Sequence, residues 1–172
     1  VTLNAIVEFC SYQIVKIQYP TPYEDLKRRA ASIESWLLKA EQNGETSSEF
    51  YYYLGKAYLI GIMSGGADQK KAIFYFQKSA DLGNKKGQNA LGYSYIRGWG
   101  GLNVNPEKAA SYILLAANQF LAAAEYNMST LYNGTIGHPK DKKLAKYWFD
   151  RYSVNPQKSI DESPSSQTNE FY

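Results

Sequence analysis

The sequence predicts an all-α fold, a solenoid of antiparallel helix pairs. Three observations predict it: a segment that recurs every 36 to 37 residues, small residues at fixed places inside it, and helix-starting and helix-stopping residues between the copies. Leu54-Gly55-Lys56-Ala57-Tyr58-Leu59-Ile60-Gly61 and Leu91-Gly92-Tyr93-Ser94-Tyr95-Ile96-Arg97-Gly98 share the Leu-Gly pair, the Tyr after it and the closing Gly at a shift of 37. The same shift carries Ala72 to Ala109, Phe76 to Ile113 and Ala80 to Ala117. A third, degenerate copy is expected at a shift of 36: Gly98 maps to Gly134, Ala109 to Ala145, Tyr112 to Trp148 and Ile113 to Phe149, while Asn127-Met128 replaces Leu91-Gly92. An earlier copy keeps only its second half, Trp36-Leu37-Leu38-Lys39-Ala40 closing at Gly44.

The elements follow in chain order. Residues 1–20 are expected to cap the open end of the solenoid. Leu3, Ile6, Val7, Cys10, Ile14 and Ile17 keep helical spacing, yet Val, Ile and Tyr also suit strands, so both readings stand. The solenoid is expected over residues 21–153. Thr21-Pro22-Tyr23-Glu24-Asp25 starts a helix, with an N-cap hydroxyl, Pro in the first turn and acids at the positive end of the helix dipole. Leu26, Ala30, Ile33, Leu37 and Ala40 make its apolar stripe, and Gly44 stops it. Further helices are expected over 48–60, 68–82, 85–97, 106–118, 121–132 and 141–152. Asp68 and Asn105 are natural N-caps, and the glycine-rich 61–67 and 98–104 serve as turns. From 154 to 172 the chain turns polar and reads as a tail, ending in Glu170-Phe171-Tyr172.

Within each pair the glycine has a mechanical role. Gly costs about 1 kcal/mol against Ala in mid-helix, so its place in Leu-Gly-x-x-Tyr implies that a partner helix approaches closely there. The Tyr three residues on shares that face. In the second helix a small Ala accepts the first, and an aromatic plugs the space toward the next repeat.

Gln88-Asn89-Ala90-Leu91-Gly92-Tyr93-Ser94-Tyr95-Ile96-Arg97-Gly98, followed by Pro106-Glu107-Lys108-Ala109-Ala110-Ser111-Tyr112 and Ala116-Ala117, resembles the Sel1-like repeat, a relative of the tetratricopeptide repeat. So does the run from Asp68 to Gly83. Phe120, where the family ends a helix on Gly, and Met128, in place of the packing Gly, depart from the pattern and suggest a differently spaced last pair. The resemblance implies a right-handed α-α superhelix whose first helices line a concave face. Positions counted from the packing Gly then nominate Tyr52, Lys56 and Ile60; Lys86, Asn89, Tyr93 and Arg97; and Glu125, Ser129 and Asn133 as partner-binding residues. They differ from copy to copy while the packing positions repeat.

The resemblance also implies a non-enzymatic module that binds another protein, in the narrowest form an immunity protein that neutralises a secreted bacterial toxin. The alternative is an adaptor or regulator in a bacterial envelope or signalling pathway. The compartment stays open between periplasm and cytoplasm. The periplasm is favoured if a signal peptide preceded Val1.

Composition argues against other classes. With 44% hydrophobic residues the chain has material for a core, and it holds no apolar run of about 18 residues. The net charge of +3 comes from interleaved acids and bases with no basic run, so nucleic-acid binding is not expected. Cys10 is the sole cysteine and His138 the sole histidine, which leaves no thiolate pair for zinc, no intramolecular disulfide and no Cys-His couple. Glu24-Asp25 and Asp161-Glu162 fit capping and solvation better than acid–base work. Gly98-Trp99-Gly100-Gly101 lacks the Lys-Ser/Thr of a phosphate loop. No catalytic, cofactor or metal residue is nominated; a hydrolase around Trp99 and His138 is the rival. Trp99 is expected either to fold onto the next repeat or to stand exposed as a contact.

Overall fold

Five helices begin where a side chain caps the backbone, and those caps set the helix boundaries. The structure is a computed structural model that describes residues 23–134 and 137–158. Helix α1 spans Tyr23–Gln42. Ser47 accepts from the Phe50 N–H to start α2 (Ser48–Ile60), and Asp68 accepts from Lys71 to start α3 (Gln69–Asp81). Asn84 takes the Lys86 and Gly87 N–H groups at α4 (Lys85–Arg97), and Asn105 takes that of Lys108 at α5 (Pro106–Ala117). Helix α6 (Ala122–Tyr132) starts without a side-chain cap, and Asp141 caps α7 (Lys142–Val154). A 3-10 turn, Trp99–Gly101, lies between α4 and α5. Gly61 and Gly98 close α2 and α4 in the left-handed conformation that favours glycine.

Each helix packs on its neighbours in sequence, and α2 also touches α4 directly. The first helices of the pairs therefore form an inner layer and the second helices an outer one. Ile33, Leu37 and Ala40 of α1 join Phe50, Leu54 and Ala57 of α2 and Ala72 and Phe76 of α3 in one core cluster. A second cluster gathers Ile113 and Ala117 of α5, Met128 and Leu131 of α6 and Trp148 of α7.

The glycine notches are where the repeat placed them. A Cβ on Gly55 would lie 2.8 Å from Phe76 Cδ1 and 3.0 Å from the Ala72 carbonyl oxygen; on Gly92 it would lie 2.6 Å from Ile113 Cγ1 and 3.0 Å from the Ala109 oxygen. Neither distance leaves room for a methyl group. Beside each notch a tyrosine of the first helix stacks on one of the second: Tyr58 on Tyr75 at 5.6 Å and Tyr95 on Tyr112 at 5.9 Å, nearly parallel in both cases. Tyr75 also donates to Glu41 Oε1 at 2.7 Å, tying α1 to α3. Burial, and then that acceptor, hold its phenol proton well above the usual range.

The third copy corrects the sequence register. The Asp68, Asn105 and Asp141 N–H groups donate to the carbonyls of Tyr58, Tyr95 and Tyr132 respectively. These tyrosines are equivalent, so the first helix of the last pair follows at 37, not 36, and the turn after Tyr132 is one residue shorter. Met128, fully buried, thus stands with Leu54 and Leu91, and Ser129 stands at the notch with Gly55 and Gly92. A serine Cβ now fills the notch. Phe149, aligned with the buried Phe76 and Ile113, is 49% exposed, and Trp148 is buried instead.

Residues 1–20, with Cys10, the Thr21-Pro22 start and residues 159–172 lie outside the described residues. The polar tail was expected from residue 154, yet Asn155 is buried, its amide donating to the Phe120 carbonyl at 3.1 Å and to Glu125 Oε2 at 2.7 Å.

Candidate partner-binding face

The contact between α2 and α4 leaves a cleft on the inner layer. Tyr52, Lys56 and Leu59 of α2, Phe76 of α3, Ala90 and Tyr93 of α4, and Trp99 line it. Three of the nominated residues, Tyr52, Lys56 and Tyr93, thus meet in one place. Lys56 Nζ lies 6.0 Å and Lys86 Nζ 5.8 Å from the Tyr52 ring centre. Lys86 also donates to the Tyr53 hydroxyl at 3.3 Å. Both ammonium groups stand over aromatic faces, where the ring quadrupole favours a cation.

Trp99 takes neither of its expected places. The 3-10 turn folds back on the preceding repeat: the Gly100 N–H donates to Gln69 Oε1 at 3.2 Å, and a Cβ on Gly100 would lie 2.8 Å from Ile73 Cγ1. Glycine at φ +61 allows that approach. The Trp99 ring then sits 5.4 Å from that of Tyr93 and closes one end of the cleft, half-buried.

The other nominated residues divide by burial. Ile60 and Lys86 are half-buried, and Arg97 and Asn133 exposed. Asn89 is buried, its Oδ1 accepting from the Asn127 amide at 3.0 Å. Glu125 and Ser129 are buried too, and for these two the register is the reason. One residue turns a helix by about 100°, so a shift of 36 selects the packed face. Tyr126, 50% exposed, and Thr130, half-buried, occupy the positions equivalent to Asn89 and Tyr93. Glu125 instead pairs with Arg151 at 2.9 Å and accepts from Asn155. The cleft floor of Leu59, Phe76 and Ala90 escaped the sequence reading, because each also fits a packing position.

His138 packs edge-on against Tyr132 at 4.9 Å, with Nδ1 3.1 Å from the Pro139 carbonyl oxygen. Among the described residues no three His, Cys, Asp or Glu side chains gather as a metal site, and no helix is long and apolar enough to cross a membrane.

Comparison with known proteins places this geometry. The model of the Sel1 repeat matches residues 48–84, 85–119 and 122–151. The ERAD-associated E3 ubiquitin-protein ligase component HRD3B of Arabidopsis thaliana is 31% identical over 119 residues, which are 69% of this chain and 18% of that protein. The cytochrome c oxidase assembly factor 7A of Xenopus laevis is 29% identical over 154 residues, covering 82% of this chain and 66% of that one. The chain thus spans under a fifth of the first relative and just under two thirds of the second. Among solved structures, a Sel1 repeat protein from Oxalobacter formigenes superposes with a TM-score of 0.58 at 22% identity, covering 78% of this chain and 92% of that one. A protective antigen of uropathogenic Escherichia coli strains, displaying an SLR fold, superposes with a TM-score of 0.65 at 22% identity, over 77% of this chain and 30% of that one. The two superpositions bear on the fold alone, a helical solenoid of Sel1 repeats.

Proposed function

Because the chain belongs to the Sel1-repeat family, whose repeats mediate protein–protein interaction and are generally non-catalytic, we propose that it holds a partner protein on the inner face of α2, α4 and α6. The carrying observation is the cleft at the α2–α4 contact, where Tyr52, Tyr93 and Trp99 stand beside Lys56. Tyrosine and tryptophan are among the types that concentrate binding energy in interfaces. The packing positions repeat from copy to copy, whereas the inner positions read Lys56, Tyr93 and Thr130, a surface that changes from one repeat to the next.

A photo-crosslinking residue placed at Lys56 or Arg97 in the native cell should trap a partner, whereas the same residue at Lys70 or Lys142 on the outer layer should not. Adducts from the outer positions alone would move the binding surface off the inner face.

An adaptor that holds components of an assembly is the form favoured by the relatives' names, a ligase component and an assembly factor. Neutralising a secreted toxin is the narrower form of the same activity. Co-expression with a toxin encoded by a neighbouring gene tests it: rescue of growth that is lost when Lys56 and Arg97 are reversed to Glu supports it, and no rescue removes it.

A further inference from the structure

We propose that residues 159–172 of this chain cap the last helix pair, seating Ile160 and Phe171-Tyr172 on an aromatic face of α6 and α7. The inference goes beyond the inner-face reading and does not depend on it.

The face itself carries the first half of the case. Phe76 and Ile113 are buried, and each lies against the first helix of the following pair. Phe76 shares a cleft with Ala90 and Tyr93 of α4, and Ile113 clusters with Ala124 and Met128 of α6. Phe149 holds the same place in α7 and is exposed. Tyr52 and Asn89 are buried as well, Tyr52 beside Lys86 of α4 and Asn89 bonded to Asn127 of α6, whereas the equivalent Tyr126 is exposed. Among the described residues no helix follows α7. Tyr152 joins the two exposed rings into one patch, 5.3 Å from Tyr126 and 6.1 Å from Phe149. A repeat array needs such an end covered by a segment whose outer side is polar.

The chain brings a segment to that spot. The Gln119 and Asn155 amides make equivalent bonds, to the Gly83 and Phe120 carbonyls. Counted from them, Lys158 stands where α4 and α6 begin, at the place of Lys85 and Ala122. Lys158 is itself helical, and its Nζ lies 4.8 Å from the Tyr152 ring centre. Ile160 then falls at the place of Gly87 and Ala124, by which α4 and α6 pack on the preceding pair. Pro164 falls at the place of Leu91 and Met128, in mid-helix, where proline removes a backbone hydrogen bond and clashes with the turn before it. The segment therefore starts as the next inner helix would and departs after one turn, a strap in place of a further repeat. Ser165 to Glu170 are polar, and Phe171-Tyr172 follow. At about 3.3–3.6 Å per residue the stretch from Lys158 to Phe171 reaches roughly 45 Å, well beyond the roughly 20 Å length of α7. Tethering at Lys158 holds these side chains near the face at an effective concentration on the order of millimolar, so a few apolar anchors suffice.

A photo-crosslinking aromatic residue in place of Phe171, in the full chain, tests the cap directly. The expected adducts form within one molecule, on the stretches of α6 and α7 that hold Tyr126 and Phe149, in a yield independent of protein concentration. Adducts between two chains, rising with concentration, would give the face to a second copy and overturn the proposal. Adducts elsewhere, or none, would overturn it as well. Thermal unfolding supplies a second readout on full-chain variants, Phe149→Ala on the face and Phe171→Ala with Tyr172→Ala in the segment. Each should lower the melting temperature by about 2–4 °C, and the combination by little more than the larger single shift, because both remove one shared contact. Additive shifts, or no shift from the segment variant, would contradict the cap. Capture of the partner from Lys56 should be the same in the segment variant as in the parent, so failure of the cap and failure of the inner-face reading are read separately.

Discussion

The middle pair, α4 and α5, and the last pair, α6 and α7, close with the same wiring and different chemistry. At the end of the middle pair the Gln119 amide donates to the Gly83 carbonyl at 3.2 Å and to Gln88 Oε1 at 2.8 Å. At the end of the last pair the Asn155 amide donates to the Phe120 carbonyl at 3.1 Å and to Glu125 Oε2 at 2.7 Å. Gly83 corresponds to Phe120, Gln88 to Glu125 and Gln119 to Asn155. A neutral acceptor has become a carboxylate, and Arg151 has entered to pair with it, its guanidinium 4.8 Å from the Trp148 ring centre and 5.4 Å from that of Phe120. The repeat is thus kept as a set of connections, and residue types vary where the connections can still be made.

The largest effect expected from breaking this comparison is in the last clasp. Arg151→Ala leaves the Glu125 carboxylate buried without its cation and should cost about 3–5 kcal/mol in urea unfolding. Adding Glu125→Gln to it rebuilds the neutral clasp of the middle pair and should recover much of the loss. A double variant no more stable than the single one would show that the clasps are not equivalent.

The notches separate the pairs next. Gly92→Ala drives a methyl group against Ile113 and the Ala109 carbonyl, and should cost about 1–3 kcal/mol. Ser129→Ala keeps the Cβ that the last pair already accommodates and should stay within about 1 kcal/mol. Equal costs at the two sites, read as shifts in the unfolding midpoint, would refute the register at 37.

The smallest effect concerns Phe120, which holds φ +59, a conformation taken by glycine at the equivalent Gly83 with φ +82. Phe120→Gly should relieve about 1 kcal/mol of backbone strain, partly offset by loss of the ring contact with Arg151. A rise in melting temperature of a few degrees or less is expected, and a marked fall would mean that the ring contact outweighs the strain.

The helix pairs were legible because their determinants are local and repeat. Gly55 and Gly92 announce close approach by standing in mid-helix, and Asp68 and Asn105 announce caps. The match of Gly134 to Gly98 at 36 hides the register of the last inner helix, because the lost residue lies between Tyr132 and Asp141, beyond the helix itself. A shift of 36 therefore sets every residue of α6 about 100° out of phase and selects the buried Glu125 and Ser129 in place of Tyr126 and Thr130. The direction of Trp99 depends on Gly100 meeting Gln69 and Ile73, a contact of which the turn's own sequence carries no sign.

The central claim is that the inner layer binds while the packed layer only supports it. The direct measurement compares two paired charge reversals for capture of the crosslinked partner: Lys56→Glu with Arg97→Glu on the inner layer, and Lys70→Glu with Lys142→Glu on the outer. Both variants should melt within a few degrees of the parent, and only the inner pair should lose the partner, by at least about tenfold. Equal capture by the two variants, or loss confined to the outer pair, would contradict the account.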